Sequence, residues 1–400
     1  MQDFTAFAFC AVGAEKVVSN ELKKLSSSPS GGVYTVLESG FGKVRFKTDL
    51  DGLYRALFSL RAADRLLLEA GSFPASDFDE LFEGTRAILW ENFIPRGMGL
   101  KVTKVRSSTS KLKAETSIQA VAHKAAAERL CTHYGLRRLP EEAKQAELRV
   151  YFEKDRASVL LDLSGEPLFK RGYRPAGGIA PLRESTAAAI ILLSGWKRKF
   201  PLYDPLCGGG TIIIEAALYA WDQAPGLGRS FSLSGLAIAG KRTEETIRAE
   251  LAEKTDYSRP VCIMGSDADE KAIALARKNL YQARSLSRNI GYFSGNTVES
   301  GKIPGVELHC LPLKNAAPPK LSLPGYIITN PPYGKRLGEI DEAEARYAEI
   351  AGLCKTFPGW RLALICNHAG FESHFGRKAD NCRELKSGAI DTWLYQYEKL

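Results

Sequence analysis

Near the carboxyl end of this chain, Gly325-Tyr326-Ile327-Ile328-Thr329 runs directly into Asn330-Pro331-Pro332-Tyr333-Gly334. The first half is a short apolar run with consecutive β-branched residues, which reads as a buried strand. No regular element can continue through the second half, because two prolines remove two backbone donors and fix φ. The stretch therefore delivers Asn330 to the carboxyl end of a strand and holds it in a stiff turn. In an open α/β sheet, that is where ligands bind.

The surrounding pattern supplies such a sheet. Residues 181–195 read as a helix, 202–204 as a strand, 211–221 as a helix, and 261–266 as a strand with a helix starting near Asp269. After the opening stretch come a helix near 341–355 and strands at 362–366 and 390–397. Strands alternating with helices predict a doubly wound, mostly parallel sheet. The first ~165 residues follow another grammar, with strands at 4–10, 33–37, 42–46, 65–69, 100–105, 147–153 and 157–163. Helices near 14–25, 53–60, 77–90 and 117–134 are interleaved with them, which predicts an α+β, mainly antiparallel module.

Composition narrows the class. The 400 residues are 44% hydrophobic and 25% charged, ordinary for a globular protein of two or three domains. No stretch approaches the ~18 apolar residues of a membrane span. Residues 4–13 are apolar but lack a basic flank, so they read as a first strand and not as a signal peptide. Eight scattered cysteines with no C-x-x-C pair argue against a zinc ribbon or a disulfide framework and predict a reducing cytoplasm. The five histidines show no metal-ligand spacing, so no metal is expected. A net charge of +9 suits a polyanionic partner. It is concentrated in two stretches, one with Lys101, Lys104, Arg106, Lys111 and Lys113, the other with Lys170, Arg171, Arg174 and Arg183.

Two further motifs precede the opening one. Asp204-Pro205-Leu206-Cys207-Gly208-Gly209-Gly210-Thr211 sits between a strand and a helix, where glycines let the backbone touch a ligand and the helix offers its free N–H groups. No Gly-Lys-Ser/Thr follows, so it is not a phosphate loop. Asp267 lies much farther on than the ~20 residues expected of a dinucleotide site. An S-adenosylmethionine loop fits better than either, with a plain tight turn as the bland alternative. In Gly265-Ser266-Asp267-Ala268-Asp269, Asp267 can accept the hydroxyls of a ribose, while Asp269 suits the cap of the next helix.

The chemistry of the opening stretch follows. An exocyclic amine on a base is a poor nucleophile, because its lone pair is delocalised into the ring. The Asn330 side-chain oxygen and the Pro331 carbonyl can accept its two N–H bonds and favour the pyramidal geometry in which that pair attacks a sulfonium methyl. Placement does this without a strong base. Tyr333 can stack on the base, which must be flipped out if it lies in a duplex. No cysteine flanks the turn, which disfavours a cysteine-dependent C5-methyltransferase. Cys207 reads as a small filler.

Taken together, these motifs resemble the THUMP-domain RNA guanine-N2 methyltransferases of the ribosomal large-subunit 23S type. The resemblance runs nearly end to end and includes Leu163-Ser164-Gly165, Arg171-Gly172-Tyr173-Arg174, Ala180-Pro181-Leu182-Arg183-Glu184 and Ala224-Pro225-Gly226-Leu227, besides the three motifs above. It implies a ferredoxin-like subdomain over 1–64, a THUMP RNA-binding domain over 65–165 and a Rossmann-like class I methyltransferase domain over 166–400. The implied cofactor is S-adenosylmethionine and the implied partner RNA, with 23S rRNA as substrate, tRNA as the close alternative, and an inactive RNA-binding assembly factor as a reading of another class. Asn330, Pro331, Pro332 and Tyr333 are then the catalytic turn. Asp204, Cys207, Gly208, Gly210, Asp267 and Asn296 would meet the cofactor. The first basic stretch, Arg171, Arg174, Lys335 and Arg336 would meet RNA. The chain departs from the family where Gly209 replaces a serine, and where an acid should follow the third strand. Counting forward from Asp267 puts Asn296 there, and counting back from Asn330 puts Pro312 there.

Overall fold

A computed structural model describes residues 3–27, 32–141, 144–174, 182–286, 303–319, 323–332, 339–368, 370–387 and 390–400. The first half contains β1 (Phe4–Cys10), α1 (Glu15–Ser26), β2 (Thr35–Gly40), β3 (Lys43–Thr48), α2 (Leu50–Ser59), β4 (Ala63–Pro74), α3 (Phe78–Ala87), β5 (Gly99–Ser108), α4 (Glu115–Tyr134), β6 (Gln145–Glu153) and β7 (Arg156–Asp162). Its strands form one sheet in the order β2-β3-β1-β4-β7-β6-β5. Every pairing is antiparallel except β5–β6, which α4 joins as a parallel crossover. Alternation along β6 buries Ala146, Leu148, Val150 and Phe152 on the helix-covered side. The expected division at 64/65 falls inside β4, which pairs with β1 on one side and β7 on the other.

The second half contains α5 (Glu184–Leu193), β8 (Leu202–Asp204), α6 (Thr211–Ala220), α7 (Lys241–Glu253), β9 (Ile263–Asp267), α8 (Glu270–Ser285), β10 (Val306–Cys310), β11 (Tyr326–Thr329), α9 (Glu339–Ala351), α10 (Leu353–Thr356), β12 (Arg361–Cys366), α11 (Phe371–Phe375), β13 (Asn381–Ser387) and β14 (Ile390–Tyr397). The sheet order is β10-β9-β8-β11-β12-β14-β13. Six of the seven strands run in one direction and only β14, inserted between β12 and β13, runs against them, which is the Rossmann-like methyltransferase fold. Strands β8 and β11 are buried on both faces, as strands covered by helices on each side must be.

Sequence periodicity misses β10 and β13, and both are edge strands. Only Val306 and Leu308 of β10 are buried, and β13 reads Asn-Cys-Arg-Glu-Leu-Lys-Ser, so neither carries the apolar pattern of a central strand.

The two halves share one hydrophobic core, which runs from Phe4 and Leu22 to Ile213, Leu280 and Leu394. Arg171 is a polar bolt between them. It is 2% exposed, donates through Nη1 to the Leu168 carbonyl and through Nη2 to the Arg61 carbonyl, and lies 3.5 Å from Glu215 of α6. The expectation that Arg171 meets RNA is therefore corrected: its guanidinium is enclosed by protein. Among the described residues, no helix is long and apolar enough to cross a membrane.

Candidate active site

The strand order reverses between β8 and β11: the chain leaves β8 toward β9 and later returns on the other side of it. A crevice opens at the carboxyl ends on such a reversal. The three sequence motifs all end there, because each follows one of the adjacent strands β8, β9 and β11.

The glycine loop is shaped by backbone need. Gly208 and Gly210 have φ of +50° and +81°, in the left-handed region that L side chains rarely adopt. A Cβ on Gly210 would also stand 2.9 Å from the Ala276 Cβ of α8, so the loop packs directly on that helix. A Cβ on Gly208 would meet nothing within 4 Å among the described residues, which leave open space before the loop backbone. At Gly209 a side chain would make only ordinary contacts, with Asn279 and Leu275 at 3.6 Å. The glycine there is not forced by space.

Asp267 ties the loop to β9. Its Oδ2 accepts the Gly208 N–H at 3.0 Å and its Oδ1 the Asp269 N–H at 3.0 Å. A carboxylate offers about four lone-pair sites, so capacity remains for a ligand hydroxyl. Asp269 caps α8 by accepting the Lys271 N–H at 2.9 Å. The open space at Gly208, the half-buried Asp267 carboxylate and the start of α6 together fit a nucleoside cofactor.

Asp204 is 2% exposed and faces the neighbouring strand. Its Oδ1 accepts from Thr329 Oγ1 at 2.7 Å and from the Leu206 N–H at 3.1 Å. This hydrogen bond locks the strand end that leads into Asn330 onto the strand end that leads into the glycine loop. Thr329 escapes a sequence reading that follows apolar runs, although a hydroxyl in a fully buried strand is itself a signal.

Burial, opposed by the hydrogen bonds from Thr329 and Leu206 and reinforced by the Asp267 charge, pushes the Asp204 carboxyl up to about 7. The folded state then binds more protons than the unfolded one between the ordinary carboxylate range and that value. Stability at this site is therefore lost as pH rises through the window from about 4 to about 7. Asp204→Asn retains the Oδ1 acceptor and cannot ionise. Its stability relative to the parent should climb by at most about 1.4 kcal/mol per pH unit across that window. Urea unfolding at a series of pH values checks this, and a pH-independent difference would refute it.

Cys207 is buried, and its thiol is raised by burial first and then by Asp204 and Asp267, so it stays protonated as a filler. Asn330 is half-buried, Pro331 buried and Pro332 exposed. Tyr347 of α9 donates its hydroxyl to the Pro332 carbonyl at 3.2 Å and so props the turn from behind. Nothing in the motif itself announces Tyr347, which reads as one more apolar-face residue of its helix. Tyr333, Lys335, Arg336 and Asn296 lie outside the described residues. Pro312 follows β10 by two positions and precedes Leu313-Lys314-Asn315, so no acid follows that strand here.

The basic residues divide. Arg174 is held inside the second half, donating to the Leu182 carbonyl and Thr211 Oγ1 and pairing with Glu184 at 3.3 Å. On β5, Lys101 pairs with Glu147 at 2.9 Å and Arg106 with Glu115 at 3.1 Å. Tertiary neighbours thus supply acids that the stretch itself lacks. Lys104, Lys111 and Lys113 are exposed. Partial burial, then repulsion from Arg106, Arg149 and Arg65, lowers the Lys104 ammonium, which marks a local positive field.

The histidines also meet in a way that their spacing conceals. Nε2 of His368 and of His374 each lie 3.2 Å from Glu344 Oε1, a group that could bracket an ion. His368 Nδ1 accepts the Gly370 N–H at 3.1 Å, which assigns the proton to Nε2 and makes that atom a donor to Glu344. In that tautomer the cluster is a hydrogen-bonded clasp between α9 and α11.

Residues 171–292 and 310–396 match the profile of the RMKL-like methyltransferase domain, and residues 5–67 that of the RlmL ferredoxin-like domain. YpsC of Bacillus subtilis (strain 168), provisionally named an RNA methyltransferase, is 34% identical over 399 residues, spanning 99% of this chain and 96% of that one. The ribosomal RNA large subunit methyltransferase K/L of Syntrophotalea carbinolica is 31% identical over 401 residues. The match takes in 98% of this chain and 53% of that protein, so the chain spans about half the length of this relative. Among solved structures, SMU.472, provisionally named a methyltransferase and crystallised with S-adenosylhomocysteine (SAH), is 34% identical. It superposes with a TM-score of 0.85 over 100% of this chain and 99% of that chain.

Proposed function

Because the chain belongs to the RMKL-like methyltransferase family, we propose that it is an S-adenosylmethionine-dependent RNA methyltransferase that modifies the exocyclic N2 amine of a guanine in 23S rRNA. The observation that carries this reading is the Thr329–Asp204 hydrogen bond, which joins the amine-recognising turn to the glycine loop. When bound, S-adenosylmethionine supplies an electrophilic methyl group. The chain's own residues do the placing.

The Asn330 side-chain oxygen and the Pro331 carbonyl would accept the two amine N–H groups and leave the nitrogen lone pair free to point at the electrophilic methyl carbon. Two consecutive prolines keep the turn from relaxing, and Tyr347 holds the Pro332 carbonyl from the far side. Gly208, Gly210 and the unused lone pairs of Asp267 would hold the cofactor, the carboxylate accepting from its ribose hydroxyls. Residues 65–165 act as the RNA-gripping THUMP module, through Lys104, Lys111 and Lys113.

Reversing those three charges to glutamate should make the salt dependence of RNA binding shallower by about 2 in log K against log salt. An unchanged slope would place the RNA elsewhere. The function itself is tested by mapping N2-methylguanine by mass spectrometry in a strain lacking the gene. Loss of one 23S rRNA site, restored by the parent gene, is the expected result. Loss confined to tRNA would reassign the substrate, and loss in neither RNA would refute the guanine-N2 activity.

A further inference from the structure

A cavity of about 620 Å³ lies between α1 of the first half and the carboxyl-terminal ends of α5 and α6 of the second. It is separate from the methyl-transfer site. The glycine loop precedes the first residue of α6, whereas Tyr219 lines the cavity from its last turn, and a ten-residue helix spans about 15 Å.

Its polar lining is unfinished. Arg61 is 8% exposed and donates through Nη2 to the Gln223 carbonyl at 2.7 Å, yet its buried Nη1 has no hydrogen-bond partner among the described residues. The same is true of Ser59 Oγ and Arg383 Nε, both on residues that line the same cavity. Leaving a buried donor unpaired costs about 1–3 kcal/mol, and more when it is charged. All three atoms belong to residues that line one cavity, and each still lacks an acceptor among the described residues.

The lining is also short of negative charge. Glu21 is already used by the Arg61 and Ala62 N–H groups, at 2.9 and 3.1 Å. Asp222 is shared between Arg198 and Arg259, each at 2.6 Å. Meanwhile Arg198, Arg61 and Lys24 crowd over the single Tyr219 ring at 4.2, 5.6 and 5.8 Å from its centroid. The ring quadrupole attracts each cation, but the cations repel one another, and an anion among them would relieve that repulsion. Val17, Leu25, Leu192, Leu193 and Leu251 give the wall an apolar part as well, beside Lys16, Asn20 and Lys254.

We infer that this cavity binds a small organic anion, with a phosphate or carboxylate head held by Arg61, Ser59 and Arg383 and an apolar body lying against the leucines. The site spans both halves of the chain, so an occupant would clamp the first half onto the methyltransferase half. The inference is independent of which RNA is methylated.

Calorimetric titration of the full chain with phenyl phosphate, with SAH saturating the cofactor site, tests it. Phenyl phosphate should bind, while phenol should not, and inorganic phosphate should bind more weakly. Arg61→Gln should weaken phenyl phosphate about tenfold or more, the loss of a charge-assisted contact. Arg61 also helps to hold the fold, so a second variant, Lys16→Glu with Lys24→Glu on exposed side chains at the cavity rim, should weaken it similarly. No heat with phenyl phosphate on the parent protein, or undiminished binding by the folded Lys16/Lys24 variant, would overturn the assignment. Equal affinity for phenol would overturn the anionic head, and equal affinity for inorganic phosphate the apolar body.

Discussion

Asn330→Ala is expected to lower methyl transfer by about a hundred- to a thousandfold, the loss typical of removing one preorganised polar contact to a reacting group. S-adenosylmethionine affinity should stay within a few-fold, because the side chain acts on the amine and not on the cofactor. The fold should also survive, since Asn330 is only half-buried and the Thr329–Asp204 bond that positions its backbone is untouched. Single-turnover transfer to RNA together with calorimetry on the cofactor separates the two quantities. Asp267→Ala provides the mirror image. It removes the acceptor of the Gly208 and Asp269 N–H groups and should weaken cofactor binding well before it affects an already loaded complex. Comparable turnover in the Asn330 variant would remove that residue from the mechanism. Unchanged cofactor affinity in the Asp267 variant would remove that one from the site.

The second large effect is on stability. Arg171→Ala should destabilise the protein by about 3–5 kcal/mol, the usual consequence of breaking a buried ion pair from one side. The substitution leaves Glu215, whose side chain is fully buried, without its cation, and frees the Leu168 and Arg61 carbonyls of their donors. Tyr173, which donates to Glu215 at 3.2 Å, does not replace a charge. Because Arg171 sits where the two halves of the chain meet, both halves should lose stability together in one unfolding transition. Urea unfolding measures this. A change under about 1 kcal/mol would show that the pair contributes no more than an exposed one.

Much of the architecture was legible in the chain because it depends on local periodicity and on residues that interrupt it. The alternation in β6, the short buried runs at Leu202–Asp204 and Tyr326–Thr329, and the glycine loop ahead of α6 each announce their element within a few residues. The edge strands β10 and β13 did not, because an edge strand exposes most of its side chains and need not be apolar. The histidine clasp was equally silent, since Glu344 comes from α9 and His368 and His374 flank the start of α11. Charge was the least reliable local signal. Lys101 and Arg106 lie in a stretch free of acids, yet β6 and α4 bring acids to them.

By itself, then, the sequence determined a Rossmann-like sheet whose strand ends carry a glycine loop, an acid and a stiff Asn-Pro-Pro turn. Backbone permission and hydrophobic period are properties of neighbouring residues and can be read without coordinates. Only the tertiary structure decided that Asp204 is spent on Thr329 rather than left open to solvent, that Arg171 bolts two halves together instead of facing RNA, and that three donors with no partner among the described residues belong to side chains lining one cavity. Each of these is a matter of which groups burial brings within hydrogen-bond reach. Residues as far apart along the chain as Arg61 and Gln223 become neighbours only when the core closes.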